Sequence, residues 1–500
     1  MYNPTNPLPP YGITQGHSQK YLQRFICAAI AAILTYFIGQ VIFWGAVLTT
    51  DEHAYLMQAF TFLEAKISRP LPPLPEIFRH EMMIMDEKAG WLSRYPPAHS
   101  LWLIIGILAG TPHLAVSLAA GLSVWIFSST ARPVNLHPLL LAAIMVFSPY
   151  FLMMNGTLLS HTSALPASCL MLWAYISWKI TKNKRYAFIA GMAWSWLFLN
   201  RTYTGLLIAL PYALDAIFDL ARNRDRANFT ATLLFALSAA SGGMLYLAYN
   251  YLAIGDPFTP TYLYYAPDDN LGFGLRSTSS IAYNHSLDAG LLYLKENMML
   301  LNQWLFGFTG SLLVAGALVV FGWHKRWSPL CLGVFVSVAV GYVFFWWRGV
   351  RDVGPVYYFE TLPYILLATA FGLDKLLKKT ASRQQLIILT ASLTLLLLVS
   401  SSYFVYEQGG VLRERQRIVG EFHRLISTAP AHSIIMVSGF RGMRHVEKGT
   451  SYNPGGIDSD PLLIAAGSIA PEKILKQYPG RKPFVMIRQA DQLLLEPYKP

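Results

Sequence analysis

The chain reads as an all-α polytopic membrane bundle of about eleven transmembrane helices, closed by a small C-terminal α/β domain outside the membrane. Three observations carry this. Of its 500 residues 54% are hydrophobic and 13% charged, against about 25% charged in soluble domains. Apolar runs recur from residue 25 to residue 404. After residue 405 the composition becomes that of a soluble unit.

The N-terminal stretch Met1 to Lys20 is rich in Pro, Asn and Gly; residues 1–24 are expected to be a disordered cytoplasmic segment. Phe25 to Leu48 is uncharged and long enough, at about 1.5 Å per residue, to cross a core of roughly 30 Å. It exceeds a signal-peptide core and reads as a retained anchor. Further runs lie at about 101–130, 138–155, 163–180, 186–200, 203–220, 229–252, 302–322, 329–347, 358–374 and 386–404. Gly110-Thr111-Pro112 breaks the first of these. It reads either as one broken span or as a re-entrant piece followed by a span.

Lysine and arginine set the orientation. Lys20, Arg24, Lys182, Lys184, Arg185, Arg222, Arg224, Arg226, Lys325, Arg326, Lys375, Lys378, Lys379 and Arg383 fall on one face if 101–130 makes one net crossing. That face is the cytoplasm. The opposite face carries two long loops, 49–100 and 253–301. Five bases meet seven acids within 51–100, and two bases meet five acids within 253–300. Long loops on one face are where a site is expected. In the first loop Leu56, Ala59, Phe60 and Leu63 form a stripe opposite Gln58 and Thr61, the pattern of a short interfacial helix. Pro70 to Pro75 then forces extended chain.

From 405 to 500 the chain reads as an extracytoplasmic α/β domain. Glu414 to Ser427 and Pro471 to Gln477 are expected helices, and Ser433 to Val437 and Phe484 to Ile487 expected strands. Its default role is a lid or docking platform over the outer loops. Cys27, Cys169 and Cys331 all fall in apolar runs and imply neither a metal cluster nor a disulfide framework. The net charge of +12 gathers at helix ends; it predicts headgroup contacts, not nucleic acid. Walker, Rossmann and zinc-protease motifs are absent from the sequence.

The stretch Thr49 to Tyr55 sits at the mouth of the first span and presents two adjacent acids, Asp51 and Glu52. This placement resembles the acidic motif in the first outer loop of the glycosyltransferase C superfamily. Tyr95-Pro96-Pro97-Ala98-His99-Ser100 resembles the family's entry to the next span. Phe147-Ser148-Pro149 and Ser160-His161-Thr162 resemble its second outer loop. The resemblance covers roughly residues 25–220 and is closest to protein mannosyltransferase-like and aminoarabinose transferase-like members. It implies an enzyme of a bacterial inner (plasma) membrane that moves a hexose or pentose from a polyprenyl-phosphate carrier. The acceptor would be a hydroxyl of a lipid, glycan or protein on the extracytoplasmic face. The chain departs from the pattern where many members place an acid in the second loop; here stand Ser160 and His161.

The residue types fit that chemistry. Asp51 is expected as general base, a role that contributes about 10²–10⁴ in rate, with Glu52 orienting the acceptor or a cation. A leaving phosphate needs guanidinium groups at headgroup level; Arg201, Arg348 and Arg351 are the candidates, because arginine among apolar spans is costly. Tyr55, Tyr95, His99, Tyr357 and Glu360 are expected to contact substrate. A divalent metal ion is the optional cofactor, with His53 and His161 as its ligands beside Asp51. The competing reading is a polytopic transporter or lipid flippase. That class predicts repeated halves and ionisable groups near the midplane; the sequence shows no internal repeat, and its acids cluster on one face.

Overall fold

The computed structural model describes residues 15–78, 81–223, 225–278, 281–437, 453, 455–465, 469–489 and 492–499. Residues 1–14 of the expected disordered segment, Arg79 and Arg224 lie outside them.

Helix α1 (Gln15–Val41) begins inside the segment expected to lack structure. It stops short of Leu48, because Trp44 and Gly45 both take φ of 60° and turn the chain at the end of the helix. Helix α2 (Thr50–Leu63) follows at once, then the hairpin β1 (Met83–Asp86) and β2 (Gly90–Ser93). The run 101–130 becomes α3 (Ala98–Leu108) and α4 (Pro112–Ser129). Trp102 Nε1 donates to Ala115 O at 2.8 Å, and a Cβ on Gly106 would lie 2.7 Å from Thr111 O. Helix α3 therefore folds back on α4. Its 11 residues span only about 16 Å, so α4 alone has the length to cross.

Run 138–155 also divides, into α5 (Pro138–Val146) and α6 (Pro149–Met154), with Ser148 capping the second and Pro149 at its first position. Helices α7 (His161–Thr181), α8 (Lys184–Asn200), α9 (Thr202–Arg222) and α10 (Arg226–Ile254) follow; α7 is buried along most of its length, whereas α9 and α10 lie at the periphery with most of their surface exposed. Between α8 and α10 small residues face each other. A Cβ on Gly191 would lie 2.5 Å from Phe235 O, and one on Gly242 would lie 2.7 Å from Ser195 Cα, the close approach that membrane helices use in place of a hydrophobic drive.

The second outer loop holds α11 (Thr261–Tyr265) and the hairpin β3 (Gly274–Ser277) and β4 (Ala282–His285). Run 302–322 is not one helix. Helix α12 (Leu287–Trp304) ends at its start, Gly307 and Gly310 turn the chain with φ of 80° and 99°, and α13 (Ser311–Phe321) follows. Helix α14 (Trp327–Gly341) leads to a strap that contains the short hairpin β5 (Val350–Arg351) and β6 (Gly354–Pro355). Helices α15 (Leu362–Lys378) and α16 (Arg383–Arg415) end the bundle. Among the described residues seven helices are long and apolar enough to cross a membrane.

Helix α16 runs past residue 404 into α17 (Arg417–Ser427). Strands β7 (Ser433–Val437), β8 (Leu462–Ala465), β9 (Lys482–Gln489) and β10 (Gln492–Pro497), with α18 (Pro471–Gln477), complete an α/β unit. The strand order is β10-β9-β7-β8, with β7 parallel to both neighbours and β10 antiparallel to β9. Strand β7 is buried on both faces, as parallel strands usually are. Ile434, Met436, Leu462 and Ile464 share a core with Ala54, Met57, Phe78 and Trp91 of the first outer loop. The sheet thus seals α2 from above.

That seal corrects the expected interfacial helix. Gln58 and Thr61 of α2 are buried. Gln58 Nε2 donates to Tyr249 Oη at 2.6 Å, Gln58 Oε1 accepts from Ser100 Oγ at 2.6 Å, and Thr61 Oγ1 donates to Met57 O at 2.8 Å. Helix α2 is an enclosed beam, with Gln58 satisfied by neighbouring elements and Thr61 by the helix's own backbone.

Candidate active site

Asp51 stands in the first turn of α2, where the helix dipole favours a carboxylate. Tyr95 Oη donates to Asp51 Oδ1, and Arg351 Nη2, from the strap, donates to Asp51 Oδ2. Burial alone would raise the Asp51 pKa. The Arg351 charge and the Tyr95 hydroxyl outweigh it and hold the carboxyl below the usual carboxylate range.

On the other side of Tyr55 lies a second charged group. Tyr55 Oη donates to Ser160 Oγ at 3.2 Å, and Arg201 Nη1 donates to the same oxygen at 3.1 Å. The Tyr55 ring packs 4.6 Å from that of Tyr95. Arg201 Nε lies 3.2 Å from Glu360 Oε1, and His161 Nδ1 lies 2.9 Å from the same oxygen. Glu360 Oε2 is buried with no hydrogen-bond partner among the described residues, which is costly unless something else fills it. Tyr357 stacks on Tyr342 at 4.3 Å, 5.8 Å from the Arg201 guanidinium. Asp51, Tyr55, Tyr95, Arg201, Arg351, Tyr357, Glu360 and His161 are therefore joined in one run of contacts.

Glu52, His99 and Arg348 are placed otherwise than expected, and the two expected metal ligands are held apart. Glu52 is turned inward, fully buried: Oε2 accepts from Leu48 N at 2.6 Å and Thr49 N at 3.0 Å, and Oε1 from Leu158 N at 2.8 Å. It closes a capping box with Thr49 and fastens the 155–160 loop, so it is not presented to an acceptor. His99 is likewise consumed, its ring nitrogens 2.8 Å from Ser163 Oγ and 2.7 Å from Leu158 O. Arg348 pairs with Glu296 at 2.5 Å on the open surface and lies outside the run of contacts. The two expected metal ligands face different partners. His53 stacks on His423, with ring centroids 6.2 Å apart, while His161 faces Glu360. Among the described residues no three His, Cys, Asp or Glu side chains gather as a metal would require.

Two residues escaped sequence reasoning. Arg94 and Asp269 form a fully buried pair at 2.7 Å. Arg94 Nη2 also donates to Tyr262 O at 3.1 Å, its guanidinium lies 3.5 Å from the centre of the Tyr262 ring, and Trp346 Nε1 donates to Asp269 Oδ1 at 2.8 Å. The pair therefore locks both outer loops to the strap that carries Arg351. Arginine directly before Tyr95-Pro96-Pro97 was the available signal.

No family model matches the sequence, and no curated protein matches it either. Solved structures do. The chain is similar to ArnT from Cupriavidus metallidurans bound to undecaprenyl phosphate, at 12% identity and a TM-score of 0.52, over 85% of this chain and 84% of that one. The apo state of the same protein gives 11% and 0.50, over 86% and 84%. It is also similar to the archaeal oligosaccharyltransferase AglB from Archaeoglobus fulgidus, in complex with an inhibitory peptide and a dolichol-phosphate, at 13% and 0.51. That match covers 88% of this chain and 64% of AglB. The chain shares the fold of these solved structures.

Proposed function

We propose that the chain is an integral membrane glycosyltransferase that moves a sugar from a polyprenyl-phosphate-linked donor to an acceptor hydroxyl on the extracytoplasmic face. The carrying observation is the convergence of an ionised Asp51 with two guanidinium groups, Arg351 and Arg201, around Tyr55 and Tyr95. In this reading an odd number of crossings of a bacterial inner membrane puts the N-terminus in the cytoplasm, and the C-terminal α/β unit caps the site from outside.

The reaction needs three services. The acceptor oxygen forms a bond to the anomeric carbon while its proton passes to Asp51. The anomeric carbon–oxygen bond to phosphate breaks, and its electron pair leaves with the phosphate. Arg351 and Arg201 meet that developing charge. Arg351 has two demands on it, since it rests on Asp51 until a phosphate arrives. Drawing it toward the donor leaves Asp51 less stabilised as an anion and more basic. The unfilled Glu360 Oε2 suits a sugar or acceptor hydroxyl. No step is assigned to a metal ion.

The test is Asp51→Asn in proteoliposomes with a labelled lipid-linked sugar. Transfer should fall by about 10²–10⁴; transfer at the wild-type rate would sink the proposal. A transporter would instead keep counterflow in the variant.

A further inference from the structure

The Arg351 guanidinium reaches Asp51 from a hairpin only two residues long on each side. Arg351 pairs with Gly354, and Asp352 and Val353 form the turn between them. So short a hairpin does not hold itself. Its base is fixed by other elements: Asn297 Nδ2 donates to Arg348 O at 2.8 Å, and Tyr150 Oη donates to Pro355 O at 2.5 Å. A Cβ on Gly354 would lie 3.0 Å from the Trp304 ring.

The turn is fixed from another direction. Asp352 Oδ1 accepts from Arg415 Nη1 at 2.8 Å, and Oδ2 accepts from Gln416 Nε2 at 3.0 Å. Arg415 is the last residue of α16, and Gln416 is the single residue between α16 and α17. The Arg415 pair is open to water, its side chains 61% and 39% exposed, and is weak alone. Gln416 is buried, so its bond is better shielded from competing water. Together the two donors occupy both oxygens of one carboxylate. Helix α17 is tied in turn to the sheet, where Glu421 Oε1 accepts from Leu493 N of β10 at 3.2 Å. Contacts therefore run unbroken from the α/β unit through Gln416 and Asp352 to Arg351 and Asp51.

We propose that Asp352 is a positioning residue: held by Arg415 and Gln416, it fixes the hairpin turn so that the adjacent Arg351 is aimed at Asp51 and at the donor phosphate. The α16–α17 junction thereby becomes part of the donor site. This rests on the transferase reading above. A freed turn leaves Arg351 to be ordered again each time a phosphate binds, and that ordering weakens binding.

The experiment titrates the full chain in detergent with undecaprenyl phosphate and reads Kd by native mass spectrometry. Arg351→Gln should weaken binding roughly tenfold or more, as loss of a charge-assisted bond does. Asp352→Ala should weaken it about three- to tenfold, the ordering cost of one long side chain. With Arg351→Gln already in place, Asp352→Ala should cost less than about twofold, since a residue acting through another adds little once that other is gone. Gln416→Glu sets two carboxylates face to face and should match Asp352→Ala. Asp352→Asn/Gln416→Glu exchanges amide and carboxylate, restores the hydrogen bond in reverse, and should return binding to within about twofold of wild type. Equal losses from Asp352→Ala in both backgrounds overturn the proposal, as does an exchange variant that binds no better than Gln416→Glu. Wild-type binding by Asp352→Ala, beside a loss in Arg351→Gln, overturns the positioning role and leaves the transferase reading standing. Wild-type binding by Arg351→Gln instead removes the phosphate role of Arg351 from that reading, and the role of Asp352 with it.

Discussion

Arg351 donates to Asp51 across 300 positions of sequence, joining the strap after α14 to the first turn of α2. The contact holds the Asp51 carboxyl below its usual range and, in the proposed reading, parks beside it the guanidinium that meets the donor phosphate. Arg351→Gln should therefore have two signatures. Donor kcat/KM should fall roughly 10- to 100-fold, the loss of about 1.5–3 kcal/mol for a charge-assisted bond. The Asp51 pKa, which Arg351 holds down, should rise, so the acid limb of the pH–rate profile moves to higher pH. A variant whose profile keeps the wild-type limb would separate Arg351 from Asp51 in function.

Glu52 supplies a stability test. Burial pushes its pKa up to about 7 from 4.5, although three backbone N–H groups pull it back. Between those values the folded chain keeps a proton that the unfolded chain releases. Its stabilising contribution is thus full below about pH 4.5 and is lost as pH rises through 7, on the order of 3 kcal/mol. Glu52→Gln carries no such proton. Measured by thermal unfolding in detergent, wild type should lose stability relative to the variant between pH 5 and 7.5. Parallel curves at both pH values would refute the assignment.

Much of the architecture was legible because its signals are local. Apolar runs and basic loops act within a few residues, and Pro471–Gln477 and Ser433–Val437 appear with their expected bounds. The breaks at 147–149 and 305–310 carried Pro and Gly as signals, yet length argued for single spans. The site was legible only in part. Asp51 and Arg201 stand out because charge beside apolar chain is rare. Nothing local distinguishes Arg351, at the strap hairpin, from Arg348 three residues earlier. Glu52 could not be told from Asp51, since adjacent helix positions point about 100° apart and only packing decides which faces inward.

The buried pair of Arg94 and Asp269 gives a third prediction. Asp269→Ala strands a guanidinium away from water, which costs about 3–5 kcal/mol, and it also frees Trp346 from its acceptor. The melting temperature should drop by several degrees. Arg94→Met with Asp269→Leu should recover most of it, because an apolar replacement leaves no unpaired charge. Equal losses in the single and double variants would show that the pair is not energetically coupled.

The contact of α8 with α10 yields the last prediction, from two glycines one residue apart. A Cβ at Gly242 would lie 2.7 Å from Ser195 Cα, whereas at Gly243 it would meet nothing within 4 Å. Both sit in the same helix with the same backbone propensity, so the difference between them isolates packing. Gly242→Ala must push α10 off α8, at about 1–3 kcal/mol for an overfilled contact. Gly243→Ala should instead stabilise by about 0.5–1 kcal/mol, the ordinary gain for alanine in a helix. Thermal unfolding of the two variants in one detergent should therefore move in opposite directions. If both rise together, the two helices are not in the close contact that Ser195 and Gly242 define.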